Sequence, residues 1–406
     1  MIFHSGIRLY FLRKKAKRTQ LWLAERLFCS SSLISEWEHG RKEISTKDAR
    51  SLGEVFQVPS SYFLKQLLDV SLQQQLTKVQ DFILDHKFSA AQQILHSLPP
   101  SILNFDQEVE VMLLRTILYY YQHLYQQAVQ WESSLNLFFP RWEECFLTQR
   151  FQQNHLHIKT LHHLFQGNYL EAQLFCQDLL EFKEHISFQL LKAQILMKQN
   201  CFEQAYHAIA RLPIHENPHL TIHIYSSIMT AATHLSLYQI AEEHSASTKK
   251  EALTRASKEN FFLYYRDKGL LLGKMKKYQE ALNYQEKALS LTFENHGIGP
   301  LLISMSMNHL YLQEYLKARF YLALTHEVQL SISEELAVRL LKKQIALFEG
   351  ELQDEGPLFQ EEIDFYQKNG QDDKLRYIYQ FLSRFHKKND NLLQSHYYLE
   401  KAMGDI

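Results

Sequence analysis

From Lys277 to Leu291 the chain sets an aromatic residue, Tyr278, then a small one three places on, Ala281, and a second small one seven later, Ala288. Openings of the same kind recur as Phe88…Ala91, Tyr125…Ala128, Tyr169…Ala172, Phe202…Ala205, Tyr238…Ala241 and Tyr315…Ala318, with a degenerate one at Leu392…Ser395. The first seven small residues stand 37, 44, 33, 36, 40 and 37 apart. Such spacing predicts a repeated helical unit with loops of varied length. One further unit between Ala318 and Ser395 is irregular, because Gly356-Pro357 falls where the small residue should stand.

The first 66 residues follow a different pattern. Ile7, Leu9 and Leu12 give a first helix its apolar face, and the basic run Arg13-Lys14-Lys15-Ala16-Lys17-Arg18 closes it. Thr19 suits the N-cap of a second helix, 20–27, and Ser30 that of a third, Ser31 to His39. Gly40 supplies the left-handed residue that commonly ends a helix. Two helices joined by so short a turn, with small Ala24 between them, predict a helix-turn-helix.

Composition narrows the class. The 406 residues include only 12 Gly and 8 Pro, too few for a β-sandwich or barrel, which needs a turn-former every 8–12 residues or so. An all-α chain follows. The net charge of −1 conceals a split: residues 1–66 carry 12 Lys/Arg and 6 Asp/Glu, a net of +6, and the remaining 340 a net of −7. A basic module on an acidic body points to nucleic acid at one end. Cys29, Cys145, Cys176 and Cys201 form no CxxC pair and read as reduced thiols. The apolar run at the start is short for a signal peptide, and no 18-residue apolar stretch follows, so a cytoplasmic protein away from the membrane is expected. Walker A, GxGxxG, HExxH and GxSxG motifs are missing, so neither an enzyme nor a cofactor is expected. Among the 21 histidines, His155, His157, His162 and His163 cluster in sequence. Adjacent histidines point to different sides of a helix, so no metal site is expected.

The segment TQLWLAERLFCSSSLISEWEHGRK resembles the lambda-repressor/Cro-type (Xre-like) DNA-binding domain over about residues 5–66. Gln20, Leu23, Ala24, Leu27, Ser30, Ile34, Ser35, Glu38 and Gly40 stand at that family's positions, and residues 58–64 match its closing helix. The resemblance implies a third helix in the major groove, with Ser31, Ser32, Leu33 and Glu36 at the base edges. Gln20, Arg41 and Lys42 would hold phosphates. Trp37 reads as core.

The recurring openings resemble the second helix of a tetratricopeptide repeat, implying nine helical hairpins over residues 70–406, stacked as a right-handed superhelix with a concave inner surface. Ala lets the two helices of a hairpin approach, and the aromatic fills the gap to the next hairpin. By repeat position Asn154, Gln194, His223, Thr230, Arg266, Lys274, Met307, Tyr311, Lys342 and Arg384 would face that groove, with Asn308 beside it. Amide side chains there suit a peptide backbone, and the cations a carboxylate.

Head and repeats together resemble the Rap–Rgg–NprR–PlcR–PrgX group of Gram-positive peptide receptors, most nearly its NprR branch by repeat number. That resemblance implies a homodimer reading a pseudo-palindromic operator in double-stranded DNA, with a short signalling peptide in the groove reshaping the repeats. Two alternatives stay open: a bifunctional protein that also binds a response regulator, and a phage or plasmid repressor whose repeats bind a protein partner.

Overall fold

The computed structural model describes residues 5–64, 68–99, 102, 104–137, 149–213, 220–255, 258–291, 298–350 and 356–404. Among them there is no strand, and the chain is all-α. It divides into two compact units, Met1–Ile158 and Lys159–Ile406.

The head opens unit one with α1 (Ser5–Lys15), α2 (Gln20–Leu27), α3 (Ser31–Glu38) and α4 (Thr46–Phe56). Its caps are those expected: the Thr19 hydroxyl accepts the Trp22 N–H at 3.0 Å, and Ser30 that of Leu33 at 3.1 Å. Gly40 is left-handed, at φ 68°. Leu9, Leu23, Ala24, Ile34, Trp37, Leu52 and Phe63 form the core. The closing segment differs from expectation. It is a 3₁₀ turn, Ser60–Phe63, because Pro59 sets its start and Leu64 is already extended. That turn suffices to drop Phe63 into the core.

Among the described residues, eighteen helices follow as nine successive pairs. In unit one these are α5 (Val70–Leu84) with α6 (Phe88–Ser97), α7 (Phe105–Tyr121) with α8 (Tyr125–Leu135), and the start of α9 (Gln149–Phe165). Unit two carries the rest of α9, α10 (Tyr169–Phe182), α11 (Ile186–Lys198), α12 (Phe202–Ala210), α13 (Thr221–His234) and α14 (Tyr238–Arg255). Next come α15 (Lys258–Lys274), α16 (Tyr278–Ser290), α17 (Ile298–Tyr311), α18 (Tyr315–Leu324), α19 (Ile332–Phe348), α20 (Gln360–Lys368), α21 (Asp372–Lys388) and α22 (Leu392–Met403). Every aromatic opener read from the sequence is the first residue of its helix. Each Ala three places on is fully buried.

One turn is reused within the hairpins. The residue two before each opener is left-handed: His86, His123, Gly167, Asn200, Ser236, Lys276, Gln313 and Asp390, with φ from 57° to 74°. The next N–H then reaches back to the preceding helix, as from Lys277 to the Leu272 carbonyl at 2.9 Å, which satisfies carbonyls left over at the helix end. Gly167 is the one glycine of the eight. A Cβ there would lie 2.9 Å from Cζ of Phe365, so α20 packs directly on the α9–α10 turn. Close by, the Gln371 amide donates to the Lys198 carbonyl, a second link between the last hairpins of unit two and its first. The irregular repeat is a 3₁₀ turn, Gly356–Phe359, anchored by fully buried Phe359 against Phe381.

Candidate functional site

The first candidate surface is α3. Ile34 and Trp37 turn its inner side to the head's core, which leaves Ser31 and Ser32 exposed at its N-terminus. Glu36 is half-buried on the same helix, and Leu33 packs partly against the core. Trp37 is core, as expected.

A buried ion pair ties α1 to the end of α3. Arg13 Nε lies 2.5 Å from Glu38 Oε1, and a second Arg13 nitrogen donates to Oε2 at 2.8 Å. Arg13 also donates to the Arg18 carbonyl at 2.7 Å. Gln20, expected at a phosphate, spends its amide nitrogen on Glu38 Oε2 at 2.8 Å, which fixes the start of α2 against α3. Arg41 and Lys42 follow Gly40 and are exposed. Sequence reasoning passed over two further features of this surface. The Arg18 and Arg26 guanidinium groups both lie over the Trp22 ring, at 4.8 and 4.7 Å. Phe28, in the turn between α2 and α3, is left-handed at φ 52° and 97% exposed. An exposed aromatic in a conformation that favours glycine was legible as a departure, since that turn demands a left-handed residue.

The second candidate surface is built on the first helices of the repeats. Of the residues read as groove-facing, Asn154 lies in unit one and the others in unit two. Asn154 is 2% exposed and accepts from Gln80 Nε2 at 3.1 Å. Asn308, 4% exposed, donates to Gln285 Oε1 at 2.8 Å, and Gln285 in turn donates to Ser304 at 2.7 Å. Gly269 and Gly273, one turn apart on α15, leave room for these two amides: a Cβ would stand 2.5 Å from Gln285 Cγ or 2.9 Å from Asn308 Oδ1. Both asparagines thus tie helices together.

The remaining residues are more open. Gln194, His223 and Thr230 are half-buried on α11 and α13. Burial, reinforced by the Arg266 guanidinium, pushes the His223 imidazole down to about 4. Arg266 leans on Asp267 at 2.7 Å, whose other oxygen accepts from the Ser226 hydroxyl. Tyr311 is 42% exposed and stacks on Tyr278 at 5.0 Å. Near it Tyr377 donates to Gln344 Oε1 at 3.2 Å, a pair that repeat position does not pick out. Lys342 is exposed and donates to His326 Nε2 at 3.0 Å. It lines a cleft of about 430 Å³ between α18 and α19 with Arg319, His326 and Lys343. The more open of these residues in unit two thus comprise the Gln194 amide, the Thr230 and Tyr311 hydroxyls and the Arg266 and Lys342 cations.

No group of His, Cys, Asp and Glu among the described residues is arranged to hold a metal. Several histidines lie against aromatic side chains, as where His163 stacks on Phe175 at 5.2 Å and His157 meets the Tyr121 hydroxyl at 2.8 Å. Cys29, Cys176 and Cys201 are free thiols, and Cys145 lies outside the described residues. No described helix is long and apolar enough to cross a membrane.

No family model matches the chain, and neither does any curated protein. Solved structures do. A Rap protein complexed with Competence and Sporulation Factor superposes with a TM-score of 0.59 at 15% identity, over 82% of this chain and 96% of that one. The apo form of the quorum sensor NprR from B. thuringiensis gives 0.51 at 14% identity, over 82% and 98%. Likeness at such identities is a likeness of fold: this chain has the all-α repeat fold of the Rap and NprR proteins.

Proposed function

We propose that the protein is a DNA-binding transcription regulator whose repeats bind a short signalling peptide. The observation that carries this reading is a repressor-type helix-turn-helix, with Ser31 and Ser32 exposed on α3 and Arg41 and Lys42 beside it, on the same chain as a repeat fold shared with a quorum sensor. Residues 1–66 read DNA and residues 70–406 hold the peptide. Two such chains as a homodimer place two α3 helices on a pseudo-palindromic operator, with half-sites about 10–10.5 bp apart. A peptide shifts operator binding only through its different affinity for two arrangements of the repeats.

Titrating candidate peptides into the purified protein, while following operator affinity and dimer geometry, tests the reading. A peptide that changes either supports it, and a full panel that changes neither sinks the receptor half. The fold likeness to a Rap protein favours a second reading, in which the repeats also bind a response regulator. Loss of an acyl-phosphate from a response regulator on addition of this protein is the outcome that would select it.

A further inference from the structure

Arg8 is a buried cation in the first helix of the head, 2% exposed, and its partners come from both the head and the repeats. One guanidinium nitrogen donates to the Tyr62 carbonyl at 2.8 Å. Another donates to the Ile102 carbonyl at 3.2 Å and to Glu108 Oε2 at 2.7 Å. Its plane lies over the Tyr62 ring at 4.2 Å and the Phe105 ring at 4.8 Å. One turn along α1, buried Phe11 packs on Phe105 at 6.4 Å. Ile102, Phe105 and Glu108 sit at and just before the start of α7, so α1 and the closing turn of the head are both fastened to the second hairpin.

The chemistry of that fastening is informative. Burying a guanidinium is costly unless its donors are matched, and an apolar residue would fill the same space more simply. What an arginine adds is direction: a planar fork accepts partners only at set angles. Three oxygens and two rings around one fork therefore specify how the head is turned, not merely that it adheres.

We infer that Arg8 is a positioning residue that locks the helix-turn-helix head to the second hairpin, so that head and first hairpins move as one body. A signal received by the repeats then re-aims α3 instead of releasing the head on a tether. The DNA half of this inference rests on the function proposed above, whereas the rigid attachment does not.

A fluorescent amino acid placed at exposed position 47 on α4 of the full chain reports the attachment by time-resolved anisotropy. The expected wild-type decay has no component faster than the slow correlation time of the unit that holds both head and first hairpins. Arg8→Met and Glu108→Gln should each add a nanosecond component, and Glu108→Gln leaves the head's own core untouched if Arg8→Met fails to fold. A fast component already present in wild type, or none in either variant, overturns the inference. DNA fragments with half-site spacings varied from 10 to 15 bp give the functional arm. Wild type should prefer one spacing, and Glu108→Gln should flatten that preference by about five-fold or more, the low end of usual coupling. A protein that binds no DNA at all would refute the proposed function, while the anisotropy decays would still decide whether the head is rigidly attached.

Discussion

Phe202 and His234 lie face to face, ring centroids 4.2 Å apart and planes within 5°. The first residue of α12 thus stacks on the last residue of α13. The same relation joins Phe88 to Tyr121 at 4.9 Å, Tyr278 to Tyr311 at 5.0 Å and Tyr315 to Phe348 at 5.9 Å, all within 20° of parallel. Tyr238 reaches the last residue of α15 by its hydroxyl, which donates to the Lys274 carbonyl at 3.2 Å. The opener of each such hairpin is therefore the fastening to the next one, and burial holds the imidazole at His234 toward its neutral form.

Burial, with Lys274 and Lys374 nearby, pushes His234 down to about 3, and His223 is held at about 4. Both lie below the unfolded value near 6.5, so between about pH 4 and 6.5 the unfolded chain binds more protons than the folded one. Stability consequently rises with pH across that window and levels off above it. Each ring contributes about 1–2 kcal/mol between pH 6.5 and 5. His234→Phe keeps the stack and removes one titration, so its melting temperature should fall less on acidification than that of wild type. Parallel melts at pH 5, 6 and 7.5 decide. Equal acid sensitivity in the two proteins refutes the neutral-ring account.

The left-handed hairpin turns make a different prediction. Lys276 holds φ 63°, a conformation that costs a side-chain-bearing residue roughly 1–2 kcal/mol. Lys276→Gly removes that strain and loses part of the gain to unfolded-state entropy, for a net stabilisation of about 0.5–1 kcal/mol. Gly167→Ala runs the other way, because its Cβ meets the Phe365 ring as well as an unfavourable φ of 74°. It should cost about 2 kcal/mol, part of which Phe365→Leu restores. Urea titrations of wild type and of the four variants, Phe365→Leu alone among them, measure both effects, and an additive double variant would dissolve the Gly167–Phe365 contact as an explanation.

How far these features were legible in the sequence depends on whether one residue type serves the role. Openers and their alanines were readable because only an aromatic spans the gap between hairpins and only a small residue fits where two helices cross. The turns were not, since His86, Asn200, Ser236, Lys276 and Gln313 share no chemistry and are held by backbone bonds that any residue can make. Groove residues fell between the two. Repeat position located the right helix for Asn308, yet its burial depends on Gly273, whose effect appears only once α15 and α17 meet. In the head, the caps at Thr19 and Ser30 were local and plain. Arg8 was invisible, because its partners stand up to 100 residues away.

The Arg13–Glu38 pair should behave as a buried ion pair in mutagenesis. Glu38→Ala leaves a buried guanidinium without its carboxylate and also frees Gln20, so the head should lose about 3–5 kcal/mol. Replacing both partners, as Arg13→Met with Glu38→Leu, should recover most of that loss, since no charge is then stranded. Denaturation followed through Trp37, which lies in the head's core, reports on this region. A double variant as unstable as Glu38→Ala would mean that the loss comes from shape and not from the unpaired charge.

On DNA, the two kinds of residue at α3 should separate cleanly. Lys42 is exposed beyond the helix, so Lys42→Ala should weaken binding to every sequence alike and lower the slope of log affinity against log salt by about 0.9. Ser32 stands on the exposed N-terminal turn of α3, which the proposed reading sets at a base edge and not at a phosphate. Ser32→Ala should leave the salt slope unchanged, cost about 1 kcal/mol on the preferred operator and relax selectivity at one base pair. Selection of binding sites from random DNA, followed by salt titrations on the selected and a scrambled fragment, measures all three quantities. Should Ser32→Ala alter the slope while Lys42→Ala alters sequence preference, α3 does not lie in the groove with its N-terminus at the bases, and the exposed surface of the head would have to be reassigned.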